Sequence, residues 1–311
     1  LLENNHRNFI LFFNVKCSMF DVNTLKELYP FQSNFIELDG LKYHYLDEGK
    51  GEPVVMLHGN PTWSFYYRRL VSGLREQYRV IVPDHMGCGL SDKPQKYNYR
   101  LKQHIDNLDI FLEKLELKNI TFALHDWGGA IGMGWAVRNP KRVKRFVVFN
   151  TAAFLLPCIP FRISICRIPV FGDIAVRCFN AFARLSIYMA CEKKERMTPE
   201  VKSGYLAPYD SFADRIAILR FVQDIPMAPK DYSYSMLEDI ESRLSQFRSH
   251  PMLIIWGEKD FCFNQHFLDR WKTYFPKAEV EKVSDAGHYV VEDAWEKIVP
   301  RVKDFLARNP L

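Results

Sequence analysis

No stretch of the sequence reaches the roughly 18 consecutive apolar residues of a membrane-spanning helix. Its seven cysteines contain no C-x-x-C pair, which leaves out the usual zinc and redox spacings, and their odd number argues against a disulfide framework. A reducing compartment, the cytoplasm, is therefore expected. No long basic run appears in a chain of net charge +5, so nucleic acid is not an expected partner. Internal repeats and low-complexity segments are also missing.

What is present is ordinary in bulk and specific in detail. With 311 residues, 48% hydrophobic and 25% charged, the chain can bury a large core as one domain or as a domain with an insertion. Twenty-four Phe, 15 Tyr and 6 Trp suit an apolar pocket and a large core equally. Residues 1–18 carry the apolar run Phe9-Ile10-Leu11-Phe12-Phe13 but little basic charge and no small-residue cleavage site. They are expected to be a non-native or disordered extension, with Met19 as the start.

Asn34 to Leu38 and Leu41 to Leu46 flank Asp39-Gly40, a hairpin signal. Buried-strand runs follow at Pro53–Leu57 and Arg79–Asp84, with helical stretches at about 64–77 and at 101–115. Asn119 to Ala123 leads into Leu124-His125-Asp126-Trp127-Gly128-Gly129 and a helical run from Ala130, and Val143–Phe149 is a further strand ending at Asn150. This alternation predicts a mostly parallel central sheet with helices on both faces. It stops at residues 151–226, which are helical, apolar and interrupted by prolines, and resumes with strands at Pro251–Trp256 and Ala278–Val283 and a helix over about 294–307. The expected architecture is an α/β core of residues 19–150 and 227–311 with an inserted helical cap, 151–226, over the sheet edge where such folds bind ligands.

Strand, glycine-flanked turn, helix is the setting of a nucleophile elbow, with Asp126 as the exposed side chain. The same position suits a helix N-cap, so the local pattern alone leaves both readings open. A carboxylate nucleophile is already ionised at neutral pH and needs no base for its first attack. Hydrolysing the resulting ester needs a base, and His288, in Asp285-Ala286-Gly287-His288-Tyr289, stands late in the chain where a hydrolase histidine is expected. The orienting acid is assigned to Asp260, with Glu258 as a weaker candidate; Asn150 ends a competing strand and cannot serve. Backbone N–H groups of residues 60 and 127 would form an oxyanion hole, and the Asn60 amide and Trp127 indole are neutral donors suited to a departing anion. Asp84 and Asp92 read as structural, and Cys88 and Cys262 need no catalytic role.

His125-Asp126-Trp127-Gly128-Gly129, His58-Gly59-Asn60-Pro61-Thr62-Trp63 and the Asp260/His288 pair resemble the haloalkane dehalogenase family of α/β-hydrolases, over roughly residues 26 to 307. The resemblance implies an α/β-hydrolase fold with a helical cap and a hydrolase working through a covalent Asp126 ester that His288-activated water cleaves. It implies no cofactor and no metal, an apolar haloalkane or alkyl lactone as substrate, and a halide product site at Trp127 and Asn60. Asn150 stands where one branch of the family has a glutamate, and Trp63, Trp127, Trp135, Trp256, Trp271 and Trp295 all lie outside 151–226, so the cap tryptophan of another branch is absent. The remaining combination resembles the third branch, whose members tend to oligomerise; a homo-oligomer or pathway assembly is implied. That branch contains the β-lactone decarboxylases of bacterial long-chain olefin biosynthesis, which Phe149-Asn150-Thr151-Ala152-Ala153-Phe154, Ala207-Pro208-Tyr209-Asp210-Ser211 and Arg220-Phe221-Val222-Gln223-Asp224-Ile225-Pro226 also resemble. Epoxide hydrolases share the elbow and would need cap tyrosines, here Tyr188, Tyr205 and Tyr209. A non-catalytic ligand-binding reading would expect one of the three catalytic positions to be lost, and all three are present.

Overall fold

The computed structural model describes residues 22–155 and 159–311. The expected extension, residues 1–18, lies outside the described residues. A short helix α1 (Val22–Leu28) leads into the hairpin of β1 (Asn34–Leu38) and β2 (Leu41–Glu48). Its turn forms at Asp39 and Gly40, both at positive φ (50° and 80°), as a two-residue hairpin connection requires. Strands β3 (Pro53–Leu57), β4 (Arg79–Pro83), β5 (Ile120–Asp126), β6 (Val143–Thr151), β7 (Met252–Gly257) and β8 (Glu279–Val283) complete one eight-stranded sheet. Its order is β1-β2-β4-β3-β5-β6-β7-β8; β2 pairs antiparallel with both β1 and β4, and every other pairing is parallel.

Parallel strands covered on both faces need apolar residues in both phases of the pleat, which is why β5 is buried at every position. Val55, Leu57, Phe122, Leu124, Phe146 and Val148 point to one face, against helices α3 (Leu101–Lys114) and α4 (Trp127–Arg138). Val54, Met56, Ala123, Val147 and Phe149 point to the other, against α2 (Arg68–Leu74) and the C-terminal helix. Each of these buried Val, Leu, Met and Phe side chains contributes about 1.5–3 kcal/mol relative to exposure.

Between β6 and β7 the chain forms α5 (Phe161–Cys166), a π-helical turn (Asp173–Cys178), α6 (Ala181–Met189), α7 (Pro199–Leu206), α8 (Ile216–Gln223) and α9 (Tyr234–Arg243). Helices α10 (Gln265–Tyr274) and α11 (Val290–Arg308) follow β7 and β8. Helix α9 packs back onto α4 through Ile240, so the insertion returns to the core before β7 begins. The last helix starts at Val290, ahead of the expected 294, because a first turn is joined to the rest across a non-helical Ala294. Among the described residues no helix is long and apolar enough to cross a membrane. Cys88, Cys166, Cys178, Cys191 and Cys262 are free thiols.

Candidate active site

In a parallel sheet all strand C-termini share one edge, and loops leaving that edge meet. Here β3 runs into Asn60, β5 ends at Asp126, β7 runs into Asp260 and β8 into His288. Four sequence-distant segments are thereby gathered around one cavity of about 140 Å³, which Asn60, Asp126, Trp127 and His288 line on the sheet side.

Asp126 sits at φ 50°, ψ −125°, and α4 begins at the next residue rather than at Ala130. The turn is compressed into a single residue in a left-handed conformation, a strain of about 1–3 kcal/mol that Asp and Asn tolerate better than most side chains. Two glycines make the compression feasible. A Cβ at Gly128 would land on the Leu57 carbonyl oxygen, and one at Gly59 on the Asp126 carboxylate. The Asp126 side chain makes no helix-capping hydrogen bond. Instead its Oδ1 accepts the Asn60 backbone N–H at 2.7 Å, and its own carbonyl accepts the Thr151 hydroxyl. Burial pushes the Asp126 carboxyl above the ordinary carboxylate range, against the pull of His288 and of the Asn60 and Trp127 amides, with Asp260 adding to the rise.

The second Asp126 oxygen, Oδ2, lies 3.8 Å from His288 Nε2. On the other side of the ring, Nδ1 is 2.8 Å from Asp260 Oδ2. Asp260 is itself held, because its Oδ1 accepts the N–H groups of Cys262 (2.6 Å) and Phe263 (3.0 Å). The imidazole stacks on Phe263 at 5.6 Å and 19°. Burial works against the charged ring, but the Asp260 carboxylate, and then Asp126, outweigh it and raise the His288 pKa above its usual value. Facing Asp260, Nδ1 carries the proton in the neutral ring, and Nε2 is turned toward Asp126.

Asn60 is less free than a loop amide. One Nδ2 hydrogen goes to the Ile218 carbonyl of α8 at 3.0 Å, and its Oδ1 is buried without a partner among the described residues. A single Asn60 N–H is left for an anion. Trp127 lines the cavity with its ring packed on Phe221, and among the described residues no acceptor takes its indole N–H. The rest of the wall is mostly apolar, including Ala152, Phe154, Ile163, Phe182, Val222 and Phe263, with Ser186 and Tyr289 among its few polar side chains.

Asp126, His288, Asp260, Asn60 and Trp127 are thus in one place. Glu258 is not: it pairs with Lys282 at 2.8 Å on the surface side of β8. Asn150 is committed to the backbone, its amide bonding both the N–H and the C=O of Gly257 across β6 and β7. Tyr188 is exposed, Tyr205 donates to Glu292 and Tyr209 to the Thr62 carbonyl; none of the three lines the cavity, which removes the pair of hydroxyls an epoxide would need. Asp84 accepts the N–H groups of Ser64 and Leu90 and pairs with His44, a structural load. Among the described residues no cluster of three or more His, Cys, Asp or Glu side chains is placed to hold a metal.

Three supporting residues escaped sequence reasoning. His125 Nε2 lies 2.9 Å from the His288 carbonyl and its ring stacks on Tyr66. Thr151 holds the elbow, as above. Asp293 accepts the Gly287 N–H just before His288 and also the Cys191 thiol and the Glu192 and Lys193 amides, tying the histidine loop to the insertion. His125 had one signal, its place beside Asp126; an aspartate in the first turn of a helix had none.

The family described as alpha/beta hydrolase fold matches residues 52–163. The chain is 48% identical over 291 residues to a cis-3-alkyl-4-alkyloxetan-2-one decarboxylase of Shewanella oneidensis, covering 92% of this chain and 91% of that protein. It is 31% identical to haloalkane dehalogenase 2 of Mycobacterium tuberculosis, covering 89% and 95%. Among solved structures, the haloalkane dehalogenase DatA from Agrobacterium tumefaciens C58 superposes with a TM-score of 0.80 at 28% identity, over 90% of this chain and 97% of that one.

Proposed function

The chain belongs to the α/β-hydrolase family that includes the cis-3-alkyl-4-alkyloxetan-2-one decarboxylases and the haloalkane dehalogenases, and on that premise we propose that it decarboxylates a dialkyl β-lactone to a cis-alkene. The observation that carries this reading is the 48% identity to the lactone enzyme along nearly the whole chain, against 31% to the dehalogenase. The site chemistry accommodates it. With the two alkyl groups in the apolar cavity, Asp126 Oδ2 attacks ring carbon C4 and the C4–oxygen bond breaks. The ring carboxyl is released as a carboxylate still bonded to C3, and Asp126 is esterified to C4. That carboxylate takes the place a halide would occupy, against the Trp127 indole N–H and the remaining Asn60 N–H.

In the second step the C3–carboxylate bond breaks and its electron pair forms the C3=C4 double bond. The Asp126–C4 bond breaks, leaving carbon dioxide, the alkene and the free carboxylate of Asp126. No water is consumed. Inversion at C4 followed by anti elimination carries a cis ring to a cis alkene. His288, favoured as the imidazolium by Asp260, stabilises the Asp126 carboxylate as it re-forms.

A second reading, haloalkane dehalogenation, is supported by the likeness to DatA and by the same donors and base. There Asp126 displaces halide, and water deprotonated by His288 hydrolyses the ester. The two separate in one experiment. Wild-type and His288→Phe enzyme are given a cis-dialkyl β-lactone or a 1-haloalkane, products are counted and intact protein mass is measured. The lactone reading expects one cis-alkene and one carbon dioxide per lactone from the wild type. Halide release with an alkyl adduct accumulating on Asp126 in His288→Phe, and no alkene from lactone, returns the assignment to dehalogenation. A wild type that turns over neither substrate, with a biological activity that survives both Asp126→Ala and His288→Ala, would leave only a binding role.

A further inference from the structure

We infer that the outer face of the insertion, built from α5, the π-helical turn and α6, is a docking surface for an anionic lipid bilayer. Of fifteen large hydrophobic side chains exposed among the described residues, eight lie between 161 and 188. Phe161 is 76% exposed, Val170 70%, Tyr188 58% and Leu185 55%. Scattered exposed hydrophobics are normal, but a contiguous set marks an interaction surface. These are contiguous, because the π-helical turn packs against both α5 and α6.

The charge of this face selects the partner. Between 161 and 188 stand four arginines (Arg162, Arg167, Arg177 and Arg184) against one acid, Asp173. That excess of three is more than half of the net +5 of the whole chain. Arg167 is taken up by Asp231 and Arg177 by Asp173. Arg162 and Arg184 are exposed and form no ion pair among the described residues. Apolar side chains interleaved with unpaired arginines are the signature of a surface that lies in the headgroup layer of an acidic membrane. A second copy of the chain would meet this face with like charge, which disfavours self-association through it.

The inner side of the same elements is the cavity wall: Ile163 on α5, and Phe182 and Ser186 on α6. One helix, about 10 Å across, separates the exposed face from the site. An apolar substrate dissolved in the bilayer would then reach Asp126 without crossing bulk water. That consequence rests on the proposed apolar substrate; the docking itself does not, and is measured without substrate.

The test is flotation of the full chain with phosphatidylcholine vesicles containing about one-third phosphatidylglycerol. The chain is expected to float with these vesicles, less with pure phosphatidylcholine, and to be released at about 0.5 M salt. Phe161→Ser with Leu185→Ser should lower the partition coefficient by about tenfold or more. Arg162→Glu with Arg184→Glu should abolish the preference for the acidic lipid. Unchanged thermal unfolding midpoints show that these variants fold. A wild type that floats with neither vesicle, or variants that float as well as the wild type, would overturn the inference. So would variants that change only the mass in light scattering, since the face would then join protein to protein.

Discussion

Around Asp126 the chain leaves no slack. A side chain at Gly59 would land on the carboxylate and one at Gly128 on the Leu57 carbonyl, and every residue of β5 is buried. Across the cavity, α5 and α6 hold Ile163 and Phe182 inward while Phe161, Leu185 and Tyr188 stand in solvent. Backbone contacts position the groups on the first side, so a small displacement there costs chemistry. Side-chain volume shapes the second, so a change there alters which substrate fits. One site is thus divided into a rigid chemical floor and a replaceable wall, and variants on the two sides should fail in different parameters.

The largest effect is expected on the floor. Asp126→Asn keeps the shape and the tolerated backbone conformation but removes the proposed nucleophile. kcat should fall by at least about 10⁴-fold with the fold intact by circular dichroism. Residual activity above about 1% would break the comparison at its centre, because catalysis would then reside elsewhere.

Asp260→Asn comes next. Its Oδ1 can still accept the Cys262 and Phe263 amides, which turns the new NH₂ toward His288 Nδ1. The ring is then forced into the opposite tautomer and loses the charge that favours its imidazolium. A drop in kcat of about 10²–10⁴-fold is expected, with KM little changed. Equal changes in KM and kcat would mean that Asp260 shapes the cavity rather than orienting the histidine.

On the facing wall the effect is smaller and of another kind. Phe182→Ala enlarges the apolar cavity without touching Asp126 or His288. The ratio of kcat/KM between long and short alkyl substrates should rise by about tenfold, within the range that a methylene or two in an apolar pocket commands. A similar loss of kcat on every chain length would erase the distinction between floor and wall.

Much of the fold and of the floor was legible in the sequence because the signals are local. Asp39-Gly40 marks a turn that needs positive φ, Gly128-Gly129 follow a buried-strand run, and Asp260 and His288 stand where parallel strands end. The start of α4 at Trp127 was not legible, since only tertiary contact with Leu57 and Gly59 compresses the elbow to one residue. Nor was the restraint on Asn60, because the Ile218 carbonyl that holds it is a backbone group present in any residue. Tyr205 and Tyr209 could be counted in the sequence, but only the fold turns their hydroxyls to Glu292 and the Thr62 carbonyl.

The smallest expected effect concerns stability and tests how the floor is held. Burial raises the Asp126 pKa on folding, so the native state holds this proton more readily than the unfolded chain does. Stability from this group therefore increases as pH falls through the folded pKa, and at neutral pH the ionised carboxylate counts against the fold. Asparagine is neutral at every pH and tolerates the same left-handed backbone. Asp126→Asn should raise the unfolding midpoint at pH 7 by about 2–4 °C. The advantage should shrink as the pH is lowered into the carboxylate range, where the wild type takes up its proton. A variant less stable than the wild type at pH 7 would show instead that the ion pair with His288 outweighs desolvation. The floor would then be held together by its charges rather than in spite of them.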